Sequence, residues 1–379
     1  MSATTTAEAD DHPLAADGAP GGDAATASER EVKRRRIGAV RAEVGADALV
    51  LTSHEALSWY LGGARTHVSL AGPPVLAVRA ARDGDTLYVS ANEADRLIAE
   101  ELAADDAARV VRVPWYESVV ARATGGASGD APVAGGRVIG EADVAPQLRA
   151  ARAELVAEEV DRYRALGRAV AEVLTDVAAE LSPATSERAA ATALAAGLVA
   201  RGIDPLVLLV AGDERLPHRH PLPTEARLGQ RAMLVVCGRR HGLIANATRW
   251  VGEIGADDDR ILAVEAAFFA ATRPGVRLDE AFRAGCRGYA DAGFAPDEWT
   301  RHHQGGPTGY AGRDPRATDV TRDVVRTPHA FAWNPSAPGA KVEDTVLISD
   351  AGVEVLTVDP RWPTTVIGGI ARPAARPFS

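Results

Sequence analysis

Regularly spaced apolar positions begin only near residue 29. Residues 1 to 28 are Ala, Asp, Thr, Gly and Pro with almost no large side chain to bury, so they are expected to form a disordered tail. From there the spacing predicts a helix over Val32 to Val44, a buried strand over Ala48 to Leu51, and a short helix from His54 closed by Gly62 and Gly63. Strands follow at Pro74 to Arg79 and Thr86 to Val89, a helix at Glu93 to Leu102, and strands at Val110 to Val113 and Arg137 to Gly140. This alternation makes residues 29–145 an α/β domain, interrupted by a surface loop over Gly125 to Pro132.

Pro146 to Leu181 keeps helical spacing throughout and reads as the helical connection into a second domain, residues 146–379. A helix over Thr185 to Gly202 leads to strands at Leu206 to Ala211, Ala232 to Cys237 and Gly242 to Ala245. Helices at Asp257 to Ala271 and Leu278 to Ala292 come next. Strands at Ala330 to Trp333, Asp344 to Ile348 and Val353 to Val358 precede a Pro-rich tail.

Composition narrows the class. A 379-residue chain with 46% hydrophobic residues can bury sizeable cores. A net charge of −10 argues against nucleic acid, and the basic run Lys33 to Arg36 reads as a solvated helix face. Cys237 and Cys286 read as buried free thiols in a reducing compartment. No apolar run reaches the roughly 18 residues of a membrane helix, and no basic-then-apolar leader opens the chain, so a cytoplasmic protein is expected.

The densest chemistry is Arg301 to Tyr310, with His302, His303, Gln304 and Tyr310 on a segment softened by three glycines. Adjacent residues of an extended segment point to opposite faces, so one of His302 and His303 is expected in a given cavity, and His302 is preferred. His218 and His220, two apart, would share a face of a strand; either suits proton transfer near neutrality, and His220 is favoured because Pro221 to Thr224 fixes its backbone. Arg249 and Arg313 have the fork geometry that grips a carboxylate, and Asn334 offers amide donors to a developing oxyanion.

The second half resembles the pita-bread fold, a curved antiparallel sheet covered by helices, shared by methionine aminopeptidase, proline-specific aminopeptidases and dipeptidases, and creatinase. The resemblance is carried by Pro217 to Thr224, the hairpin from Val236 to Arg249, Thr272 to Gly275, the loop at 302–310, and Lys341 to Ile348. Leu51 to Gly63 is similar to the N-terminal domain of the creatinase and prolidase branch, so the expected class is an α/β domain followed by an α+β pita-bread domain. The resemblance implies five metal-ligand positions, which fall on Val236, Asn246, Gly306, Asn334 and Glu343. One carboxylate cannot neutralise two divalent ions, so no family-type metal centre and no cofactor are expected.

A further family histidine falls on Arg313, whereas the histidine that creatinase uses as acid and base without metal falls within His218 to His220. Two creatinase glutamates fall on Thr248 and Asn334, so creatine itself is not implied. Glu343, in a family active-site position, would orient an imidazolium. Three functions follow. The leading one is a metal-independent enzyme cleaving a C–N bond of a small carboxylate-bearing molecule, with His220, His218, His302 and Glu343 as catalytic candidates. Arg249, Arg313, Asn334, Gln304, Tyr310 and His303 would bind substrate. The second is a non-catalytic binding protein on the same scaffold. The third is a single metal site rebuilt from His218, His220 and His302, with Glu343 as a further ligand. The two-domain branch also implies a homodimer in which Arg65 reaches a neighbour's site.

Overall fold

The computed structural model describes residues 27–125 and 136–378. The expected tail up to residue 26 and the loop from Gly126 to Pro132 lie outside them. The first helix starts at Ala27, inside the expected tail.

Strands β1 (Ala48–Leu51), β2 (Leu76–Ala81), β3 (Gly84–Ser90), β4 (Val110–Val113) and β5 (Val138–Gly140) form one sheet in the order β4-β3-β2-β1-β5, with parallel pairs at both edges. Helices α1 (Ala27–Glu43), α2 (His54–Tyr60), α3 (Ala94–Glu100), α4 (Ala104–Ala107) and α5 (Val119–Thr124) connect and cover it. Ser53 caps α2 by accepting from the Ala56 amide. The basic run of α1 is only in part the solvated face that its charge predicts, since Arg35 is exposed but Lys33 is not. Lys33 is fully buried, donating to Glu29 (2.5 Å) and to the Trp59 carbonyl (2.6 Å) and pairing with Glu159 of the next domain (2.8 Å). Two carboxylates and a carbonyl there replace the water that the lysine loses on burial.

The helical stretch after residue 145 is two helices, α6 (Ala145–Ala153) and α7 (Ala157–Ala179). Nothing in Glu154-Leu155-Val156 forbids a helix; the break follows from Leu155 donating its amide to the Pro328 carbonyl (2.9 Å), a long-range bond that competes with the helical ladder. α8 (Glu187–Val199) and α7 pack beneath an antiparallel sheet of β6 (Asp204–Ala211), β7 (Arg231–Arg240) and β8 (Leu243–Gly252). α9 (Asp258–Ala271) and α10 (Leu278–Asp291) form the second cover. Gly285 lets them approach, since a Cβ there would lie 2.1 Å from the Phe268 ring.

A second antiparallel sheet has the order β14-β13-β10-β9, from β9 (Gly305–Pro307), β10 (His329–Trp333), β13 (Val346–Ser349) and β14 (Gly352–Val355). The short hairpin β11 (Ser336–Ala337) and β12 (Ala340–Lys341) lies between β10 and β13 in the chain. The presumed Pro-rich tail contains a further hairpin, β15 (Thr364–Ile367) and β16 (Ile370–Pro373), turning through Gly368 and Gly369, both at positive φ. The two main sheets join where the Thr248 amide donates to the Glu343 carbonyl (2.8 Å) and the Asn246 amide to Thr345 Oγ1 (2.7 Å). Among the described residues, no helix is long and apolar enough to cross a membrane.

Candidate functional site

A cavity of about 450 Å³ opens at that junction. One wall is aliphatic, with Leu206, Val207 and Leu209 of β6 beside Val235 and Ile244. The other is polar, formed by His220, His303, Arg313, Asn334, Lys341 and Glu343.

The histidines come from two loops. His220 lies in the segment between β6 and β7, which is not a strand. Its neighbour Arg219 pins the segment by donating to Ser336 Oγ (3.0 Å) and pairing with Glu298. Because the backbone is a loop, His218 and His220 do not share a face, and His218 is exposed outside the cavity lining. His302 and His303 follow a short 3-10 helix, Glu298–Arg301, where the chain bends rather than running as a regular strand. Only one of the two rings lines the cavity, as expected, but it is His303 and not the preferred His302, whose buried ring lies behind with its centroid 4.4 Å from that of His303. His302 Nε2 lies 3.0 Å from His220 Nε2, a hydrogen bond whose donor depends on the tautomers.

All three imidazoles have lowered pKa values. Burial, then the charge of Lys341, pushes His302 down to about 2. Burial, then Arg313 and Arg316, pushes His303 down to about 4. His220 is lowered for the same reasons, burial first and Lys341 next.

Glu343 behaves oppositely. Burial would raise its pKa, but Lys341 and Arg313 outweigh this and hold it down at about 2. Lys341 Nζ donates to one carboxylate oxygen and Arg313 Nη2 to the other, each at 2.5 Å, and Lys341 also donates to Thr248 Oγ1 (2.9 Å). Arg316, at the mouth, makes no ion pair with a described carboxylate. Three cations thus face one carboxylate, and the cavity carries net positive charge. Lys341 and Arg316 were missed from the sequence. The spacing of Lys341 from Glu343, two residues along an extended segment, was the available signal for the first.

Other candidates take structural places. Arg249 is buried against Asp344 (2.9 Å) and the Thr357 carbonyl (2.6 Å), so it has no fork left for a substrate. Tyr310 donates to Glu159 (2.6 Å) within the buried Lys33 network and does not line the cavity. Gln304 supports the histidine loop by donating to the carbonyls of Trp299 (2.9 Å) and His302 (2.7 Å) while accepting from Tyr289 (2.7 Å). Arg65 lies elsewhere, paired with Glu101 (2.5 Å) beside Gly62 and His241. Asn334 does line the cavity, with its Oδ1 buried and unpartnered.

Neither a sequence-family model nor a curated protein sequence matches the chain. Solved structures do. A dipeptidase from Mycobacterium ulcerans is similar at 22% identity and TM-score 0.68, covering 93% of this chain and 99% of its own. The Pyrococcus horikoshii prolidase is similar at 17% identity and TM-score 0.68, covering 87% and 99%. The chain has the pita-bread fold. The N-terminal domain of the FACT complex subunit SPT16 from chickpea is also similar, at 12% identity and TM-score 0.61, covering 87% and 96%.

The residues at the five implied ligand positions do not fit a pair of divalent ions. Val236 is fully buried in the apolar core, and the residue beside Asn246 that lines the cavity is its register partner Cys237, whose thiol burial raises to about 12. Gly306 has φ +135°, and a Cβ there would lie 2.9 Å from the Ala317 amide nitrogen, so no imidazole is tolerated at that position. Asn246 spends its amide on Thr308 Oγ1 (3.2 Å), and Glu343 is already bound by two cations. The pita-bread cavity of this chain holds one anionic donor where the two ions would need several.

Proposed function

We propose that this chain binds a small carboxylate-bearing amino-acid derivative and hydrolyses a C–N bond in it without paired metal ions, with His220 as general base. The observation that carries the reading is the pairing of Glu343 with Lys341 and Arg313 opposite three imidazoles. The surplus positive charge favours an anion, and the aliphatic wall suits a short hydrocarbon side chain.

In this reading Arg316 grips the carboxylate, and Arg313, whose Nη atoms stay on Glu343 and the Gly312 carbonyl, adds only its charge. His220 takes a proton from water as its oxygen bonds to the electrophilic carbon, and it returns that proton to the nitrogen when the C–N bond breaks. His302 holds the His220 ring through the 3.0 Å contact. The Asn334 amide and the Lys341 ammonium stabilise negative charge on the carbon's oxygen substituent.

Creatine, N-acyl amino acids and Xaa-Pro dipeptides, each beside its carboxamide analogue, form the test panel. At least one free carboxylate should bind and turn over, and its carboxamide should bind at least about tenfold more weakly, since a charge-assisted fork is lost. Equal binding of the two forms would remove the anion site from the account. Tight binding with no turnover would favour a binding protein on this scaffold.

A further inference from the structure

Three ligand-capable nitrogens meet at the cavity wall: one from each of His220, His302 and His303 lies within 4.8 Å of the others, with His220 and His303 on the lining and His302 buried behind them. We infer that these imidazoles form a site for a single borderline transition-metal ion such as zinc, and that its occupancy silences His220. The inhibitory half rests on the proposed role of His220; the binding half does not.

Geometry carries the binding half. A tetrahedral ion with metal–nitrogen bonds of about 2.0–2.1 Å separates its ligand atoms by about 3.3 Å. His220 Nε2 and His302 Nε2 already stand 3.0 Å apart, so an ion needs only a slight parting of these rings and a turn of the third. None of the three rings is ion-paired to a described carboxylate, so a lone pair is available on each without breaking a salt bridge. The buried Nδ1 atoms of His302 and His303 have no hydrogen-bond partner, and coordination through the His303 Nδ1 would satisfy that atom.

Access and charge shape the outcome. His220 is exposed, so an ion can arrive from solvent. Lys341, Arg313 and Arg316 weaken the binding of a dication but favour an anionic fourth ligand, either chloride or a substrate carboxylate. The donor set is three neutral nitrogens, which suits zinc, cobalt or nickel and not magnesium or calcium. An ion coordinated by His220 occupies the lone pair that a general base must use.

The test uses the chelator-stripped full chain titrated with ZnCl2 by calorimetry and with CoCl2 by visible absorption. One ion should bind per chain, with a micromolar Kd and the intense bands of four-coordinate cobalt. His303→Asn, which keeps His220, should weaken zinc at least about tenfold, as should His302→Asn, provided that each variant melts like the parent. No binding up to roughly 1 mM zinc, or equal binding in both variants, overturns the site and points to exposed imidazoles such as His218. Wild-type turnover of whichever panel compound is cleaved should then fall along the same occupancy curve. Zinc binding that leaves turnover unchanged, or raises it, overturns the inhibitory half. Turnover of the stripped chain, measured first, reports on the metal-free reading independently of either outcome.

Discussion

Replacing His220 by Asn is expected to lower kcat by about 100-fold or more while leaving the melting temperature and KM close to those of the parent. A well-placed general base contributes roughly 10²-fold to 10⁴-fold, and its loss acts on the transition state. The fold should tolerate the change because His220 is exposed at the cavity mouth. KM should hold because Arg313 and Arg316 remain. Burial and Lys341 lower the pKa of His220, so the neutral base persists below the ordinary 6.5. Parental kcat should therefore fall only on acidification beyond that value, and the variant's residual rate should lack this limb. A variant with near-parental turnover would remove His220 from the chemistry.

Glu343→Gln should give the largest loss of stability, about 3–5 kcal/mol by urea denaturation at pH 7. The change leaves Lys341 and Arg313 in a buried site without their shared counter-charge, and breaking a buried pair from one side costs about this much. The sign with pH follows from the lowered pKa. A carboxyl held at about 2 in the fold and near 4.5 when unfolded adds stability above pH 4.5, and loses it progressively as pH falls toward 2. The gap between parent and variant should accordingly narrow as pH drops below 4.5. A loss under about 1 kcal/mol, constant with pH, would mean that the network does not bear on folding.

The sequence exposed those parts of the molecule that depend on local pattern. Ala48–Leu51 is a strand at the predicted bounds because burial on both faces leaves little else for it to be, and Val110–Val113 keeps its predicted bounds as an edge strand with Val111 and Arg112 exposed. The break between α6 and α7 was hidden, since it depends on Pro328, more than 170 residues away. The hairpin Thr364–Pro373 was read as a tail because prolines border it, although Gly368 and Gly369 mark its turn.

The site divides in the same way. His220, His303, Arg313, Asn334 and Glu343 line the cavity as expected of candidates that fall within recognisable loops and strand ends, whereas His302 lies buried behind the lining. Arg249 and Tyr310 were assigned to the cavity because nothing near them in sequence reveals Asp344 or Glu159 as partners. Val236 was placed in the cavity where Cys237 belongs. A one-residue shift of register reverses the face of a strand, and only the observed pairing of Cys237 with Asn246 fixes it.

If fixed cations rather than metal ions organise this cavity, as proposed, turnover should survive removal of metal. The most direct test is turnover of the preferred panel compound by protein stripped with chelator and checked for metal by elemental analysis. The stripped chain, with well under one transition-metal ion per molecule, should turn over at least as fast as the untreated chain, and added zinc should slow it. Activity that disappears on stripping and returns with zinc would contradict the account and make the three-histidine cluster the catalytic metal site.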